Sequence, residues 1–225
     1  METLTIQFQN KLMFNEIPFF RGALLHALPE EDNLLLHNHV DDGYRYSYPL
    51  IQYKSIGGKA ALVSIDEGID AVMQLMTHGG VAVRIGNRSA EILQPADIQP
   101  KPVTLSVAPQ FHKYILEKWI PLNEENYQRY VRMERMIDRI AFLENILTAN
   151  ILSFLKGVGV YIEDNLQCHI LNLSQKVVMP KKGVRMLAFD ADFRVNMLLP
   201  EYIGLGKHVS VGYGVVVKQN NKSNK

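Results

Sequence analysis

Segments of two periodicities follow one another through the first hundred residues, and their order admits few folds. Leu4 to Phe8 alternates at the two-residue period of a strand, and Glu16 to Leu28 then places apolar residues at helical spacing until Pro29 and an acidic loop end the pattern. Residues 44 to 54 and 59 to 65 read as a hairpin, because Gly57-Gly58 supplies the turn between two β-prone runs. Residues 67 to 78 set Ile69, Val72, Met73 and Met76 on one helical face and stop at Gly79-Gly80, after which Val81 to Ile85 returns to strand. The order β-α-β-β-α-β is that of a ferredoxin-like, or RRM-like, unit.

Pro95, Pro100 and Pro102 punctuate what reads as a linker, which predicts one domain over residues 1–100 and a second over 101–225. The second begins with a strand at Val103 to Val107. A long helix is expected from Asn123, a good N-cap, to Lys156-Gly157, with Tyr127, Tyr130, Val131, Ile137, Ile140, Leu143 and Leu147 at helical spacing. Strands are expected at Gln167 to Leu173, Val184 to Leu199 and Val209 to Lys218, while Phe111 to Pro121 has no clear period. The whole predicts an α+β protein of two tandem ferredoxin-like domains with antiparallel sheets, the second an elaborated copy.

At 225 residues and 47% hydrophobic composition the chain is long enough for one large globular domain or for two small ones, each burying its own core. Its apolar runs fall far short of the ~20 residues that span a bilayer, and Met1 to Asn10 lacks a signal-peptide core, so a soluble cytoplasmic protein with no membrane partner is expected. The single cysteine, Cys168, excludes an intramolecular disulfide and any cysteine-rich zinc site, and reads as a small core residue. Residues 1–100 carry 7 Lys/Arg against 12 Asp/Glu, a balance of −5, whereas residues 101–225 carry 17 against 11, or +6. The field of the second half attracts a polyanion.

That half holds the run Gly204-Leu205-Gly206-Lys207-His208-Val209-Ser210-Val211-Gly212-Tyr213-Gly214. Each glycine in a regular element costs roughly 0.5–1 kcal/mol, so four together imply a close approach to the backbone that core packing does not explain. The run is neither a P-loop nor a dinucleotide fingerprint, since His208, Glu201 and Val209 stand where those motifs need other residues. It predicts a loop with Lys207 and His208 at its tip, suited to a phosphate chain, or else an ordinary glycine-rich hairpin.

Arg129, Arg132, Arg135 and Arg139 are three, three and four residues apart, which on one helix forms a single guanidinium stripe able to bind successive phosphates, or else a solvated face. In the acidic half, after His26, His37 and His39 project to the same side if their loop is extended, with Tyr44, Tyr46 and Tyr48 in a second row on the strand expected beyond. Two imidazoles can supply a base and an acid near neutrality without a metal. Surface histidines in a polar loop, or a zinc site completed by His26, Asp41 or Asp42, are the other readings.

Taken together, the Ile17-Pro18-Phe19-Phe20-Arg21-Gly22 helix start, the His37/His39/Tyr46 spacing and the G-x-G-x5-G-x-G loop resemble the repeat-cleaving endoribonucleases of CRISPR systems, in the RAMP superfamily, closest to the subtype I-B branch. The resemblance implies metal-independent cleavage of precursor RNA within repeats, with no cofactor and no metal. It implies His37, His39 and Tyr46 as catalytic groups, and Lys54 or Lys207 as stabilisers of the phosphorane. RNA binding is expected from Arg129, Arg132, Arg135, Arg139, Gly204, Gly206, Lys207, His208, Gly212, Gly214 and Lys54. Expected partners are CRISPR repeat RNA, other subunits of a CRISPR effector complex and a second copy in a homodimer. A non-catalytic RNA-binding subunit of such a complex is the alternative.

Overall fold

The computed structural model describes residues 1–27, 48–77, 81–181 and 183–219, which divide into two compact units. The first comprises Met1–Val103 with Ser210–Gly212; the second comprises the rest from Thr104 onward.

In the first unit β1 (Glu2–Lys11), α1 (Ile17–Ala27), β2 (Ile51–Ile56), β3 (Lys59–Ile65) and α2 (Glu67–Thr77) follow the anticipated order. Leu4, Ile6 and Phe8 of β1 point to one side and, with Phe20 and Leu24 of α1, Tyr53, Leu62, and Val72 and Leu75 of α2, form the core. Phe20 is its centre, meeting Phe8 and Tyr53 edge-on at centroid separations of 6.3 and 5.9 Å. The return strand at Val81 to Ile85 does not complete this sheet. It is the short β4 (Ala82–Val83), paired with β5 (Glu91–Ile92) in a ribbon of its own.

The sheet order is instead β2-β3-β1-β6, and β6 is Pro95–Pro102, the segment whose prolines mark a linker in the sequence. Pro100 and Pro102 lie opposite Leu4 and Glu2 at the sheet edge. A proline breaks a ladder only where its missing N–H faces a partner, and at an edge it can face outward. The ferredoxin-like strand order is thus completed by the one segment whose composition argues against a strand.

The second unit repeats the order with β10-β7-β9-β8, where β7 is Val107–Trp119, β8 Cys168–Lys181, β9 Val184–Met197 and β10 Val215–Lys218. Two helices lie between β7 and β8, but the stretch between β9 and β10 is Leu198–Gly214, whose only helical element is the short 3₁₀ turn Val209–Val211. The glycine run therefore occupies the place of a second ferredoxin helix.

The single long helix is two: α3 (Glu124–Arg132) and α4 (Met136–Gly157), separated by extended backbone at Met133 and Arg135. Neither glycine nor proline causes the break. Tyr130 is buried against Phe189, and Leu143, Leu147, Ile151 and Phe154 are buried along α4. At about 100° per residue Tyr130 and Leu143 would face about 220° apart on one straight helix, so the chain must bend for both to be buried. Asn123 does cap α3, its Oδ1 accepting the Asn126 N–H at 2.7 Å. Arg139 closes the other end, donating through Nε to Met133 O at 2.9 Å while lying over the Tyr130 ring.

Candidate nucleic-acid interface

His37, His39 and Tyr46, with His37's neighbours Asp41 and Asp42, lie outside the described residues. His26 is described and lies exposed in the last turn of α1. Tyr48 accepts a hydrogen bond from Gln52 Nε2 at 2.8 Å. Lys54 is 1% exposed on β2, and burial pushes its ammonium down to about 7. Such a group is charged or neutral according to small changes near neutrality, but in this conformation its side chain is closed to solvent.

The glycine run has a reason other than the one its composition suggests. A side chain at Gly204 would meet Val209, one at Gly206 would come within 2.8 Å of Ile120 O and 2.9 Å of the Trp119 ring, one at Gly212 within 2.5 Å of Ile17, and one at Gly214 would collide with Leu205 O. Gly206, Gly212 and Gly214 also have φ of +91°, +88° and +62°, the left-handed region that favours glycine. What approaches this backbone closely is the protein itself. The loop's amides are used internally as well: Leu205 donates to Gly214 O, Lys207 to Ile120 O and Gly214 to Lys118 O, at 2.8, 3.0 and 3.2 Å. Gly204, Gly212 and Gly214 are buried, so the cradle for RNA assigned to them gives way to packing.

Lys207 and His208 remain at the surface side of the loop. His208 adopts φ +58° and meets Tyr213 edge-on at 6.0 Å; burial first, then Lys181 and Lys207, lower its imidazole from the ordinary value. A neutral His208 near pH 7 can accept or donate one hydrogen bond but adds no charge.

The arginine stripe is divided by the helix break. Arg129, on α3, lies over the Phe142 ring at 5.0 Å and lines a groove of about 500 Å³ together with Gly206 and Lys207. Arg135 is the N-cap residue of α4 and reaches Asp138 at 3.9 Å, and Arg139 is committed to Met133 O and Tyr130. Arg132 ends α3, exposed. The structure thus brings together Arg129, Gly206 and Lys207 from the anticipated set and places Arg135 and Arg139 in local contacts. A second groove of about 600 Å³ adjoins Asn123 and Lys207 and adds Tyr127 and Arg185. Arg185 lies outside the helical arginine spacing, near the start of β9; its signal in the sequence is the basic cluster Lys181-Lys182-Gly183-Val184-Arg185.

Cys168 is buried, and burial with the nearby Glu144 carboxylate pushes its thiol up to about 12, as suits a core residue. Glu144 of α4 also accepts the Ile170 N–H at 2.8 Å, fastening α4 to β8 where the β8 register shifts.

Two ferredoxin-like units, the second with a glycine loop in place of one helix, define a tandem ferredoxin-like α+β protein. Residues 1–99 match the model of the Cas6b N-terminal domain and residues 106–219 that of the Cas6b C-terminal domain; the chain belongs to the Cas6b family. A solved Cas6b structure superposes with a TM-score of 0.85 at 28% identity, covering 97% of this chain and 100% of that one. Another, a CRISPR RNA processing endoribonuclease Cas6b, superposes at 0.74 with 26% identity over 97% and 98%. An uncharacterized protein of Methanocaldococcus jannaschii is 36% identical over 113 residues, 50% of this chain and 76% of that protein.

Proposed function

We propose that this chain cleaves CRISPR precursor RNA within its repeats and releases guide RNAs. The observation that carries the proposal is the family match along nearly the whole chain, with likeness over 97% of it to a solved CRISPR RNA processing endoribonuclease. In the proposed reaction, His37 or His39 removes the proton from a ribose 2′-OH, and the 2′-oxygen attacks the adjacent phosphorus. The other histidine protonates the departing 5′-oxygen, leaving a 2′,3′-cyclic phosphate and a 5′-OH end. Tyr46 orients the reacting groups or donates a proton. No metal takes part. The positive second unit supplies affinity for the RNA backbone, with Arg129 and Lys207 lining its groove, so binding weakens with salt.

The test is repeat RNA incubated with the protein in EDTA. Cleavage that survives chelation, yields cyclic-phosphate ends and falls by about 10²–10⁴-fold in His39→Ala with RNA affinity retained supports the proposal. Intact RNA held tightly by the wild type would make the chain an RNA-binding subunit instead, and normal cleavage by His39→Ala would remove the assignment of that residue.

A further inference from the structure

The groove shared by α3, α4 and the glycine loop is lined in an unusual way for a polyanion site. Besides Arg129 and Lys207 it presents four asparagines, Asn123, Asn126, Asn145 and Asn150, over an apolar floor that includes Phe142 and Ile146, and no carboxylate lines it. Phosphate recognition needs cations and N–H donors, whereas neutral amides that both donate and accept match the edges of nucleobases. Asparagine is also a weak helix former, and Asn145 and Asn150 sit well inside α4, where a merely solvated face is better served by lysine or glutamate.

Two of these amides are set by the structure. The Trp119 indole N–H donates to Asn150 Oδ1 at 2.9 Å; an indole can only donate, so the acceptor end of Asn150 is fixed against it and the Nδ2 donor faces elsewhere. Trp119 is fully buried, and Gly206 lies so close to it that no side chain fits between. Asn145 has no hydrogen-bond partner among the described residues and keeps both donor and acceptor. Asn123 is committed to the α3 cap through its oxygen.

We propose that this groove is a base-reading subsite that takes one unpaired nucleobase of the bound RNA, with adenine the best match, and with Lys207 taking the adjoining phosphate. Asn145 can accept from the adenine N6 amino group and donate to N7, and Asn150 Nδ2 supplies a further donor to a ring nitrogen. The base lies over Ile146 and against the Arg129 guanidinium, which itself covers the Phe142 ring. Lys207 also lines the neighbouring groove that contains Tyr127, so the next base has an aromatic ring to stack on. A groove of about 500 Å³ is in the range of small-ligand sites and accommodates one nucleotide. The subsite rests on the RNA-processing function proposed above and adds to it a preference for sequence.

The experiment uses the full chain in EDTA with fluorescein-labelled 12-nucleotide oligomers rA, rC and rU, read by fluorescence anisotropy. The wild type is expected to bind the rA oligomer about tenfold more tightly than rC or rU. Asn145→Ala/Asn150→Ala brings the three within about twofold of one another, and Lys207→Ala weakens all three equally and lowers the salt slope by about one. Asn150→Asp keeps the Trp119 hydrogen bond and folding while replacing the Nδ2 donor, and is expected to lose the rA preference too. A wild type without an rA preference, or a preference that persists in the asparagine variants, overturns the subsite. Cleavage of repeat RNA is read separately: if it is normal while the rA preference is absent, the subsite alone fails, and if repeat RNA is neither bound nor cleaved, the function and the subsite fail together.

Discussion

The glycine run and the arginine-bearing helices both stand out in the second half of the sequence, and the structure treats them oppositely. Gly204, Gly206, Gly212 and Gly214 lack side chains because Val209, Trp119, Ile17 and Leu205 fill the space. Arg129 and Lys207 face a groove open to solvent, and the amides beside them are arranged by α3 and α4. A cluster of rare residues in a sequence signals a constraint, but the constraint can come from inside the fold. Ligand-facing positions here are ordinary residues made distinctive only by the surfaces that converge on them.

The sharpest way to break this contrast is Gly214→Ala. With φ at +62° and Leu205 O in the place of a Cβ, the substitution is expected to destabilise the protein by about 4 kcal/mol or more in chemical denaturation. An alanine that folds normally and only weakens RNA binding would return the run to a ligand-facing role.

A smaller effect distinguishes the buried cation from the open ones. The Lys54 ammonium is pushed down to about 7 from 10.5 by burial, so the unfolded chain binds more protons than the folded one between those values. The stability this group retains above about 10.5 is lost as pH falls toward 7. Lys54→Met is therefore expected to flatten the rise in Tm between pH 7 and pH 10, checked by thermal melts across that window. A rise of equal size in the variant would mean that Lys54 is not the titrating group.

The smallest effects separate the arginines. Arg129→Ala is expected to leave stability within about 0.5 kcal/mol of wild type and to reduce the salt slope of RNA binding by about one. Arg135→Ala, with its side chain 75% exposed and held at the α4 N-terminus beside Asp138, should change RNA affinity less than Arg129→Ala does. Equal losses from both would restore the continuous stripe.

The first unit was largely legible because its strands and helices carry their own periods: Leu4, Ile6 and Phe8 alternate into the core, and Val72 and Leu75 lie on one face of α2. Its fourth strand was not, because Pro95, Pro100 and Pro102 remove the local preference for a strand and only the partner β1 restores it. The α3–α4 break was invisible for a similar reason: Phe189, far along the chain, determines where Tyr130 must point. Asn123 was legible as a cap because capping is decided within a few residues. The groove could not be read in advance, since Asn145, Asn150 and Lys207 are ordinary letters until Trp119 and Gly206 bring them to one surface. The histidine pair at His37 and His39 is carried by family resemblance and awaits the cleavage test.

The proline strand bears on how this protein behaves in a crowded solution. Pro100 and Pro102 are two residues apart, so their missing donors fall on the same side of β6, the side turned away from β1. An incoming strand would find no N–H at either position. The segment that closes the first sheet also keeps that sheet from growing into a neighbour, a safeguard against self-association that leaves the strand free to stay exposed at the sheet edge.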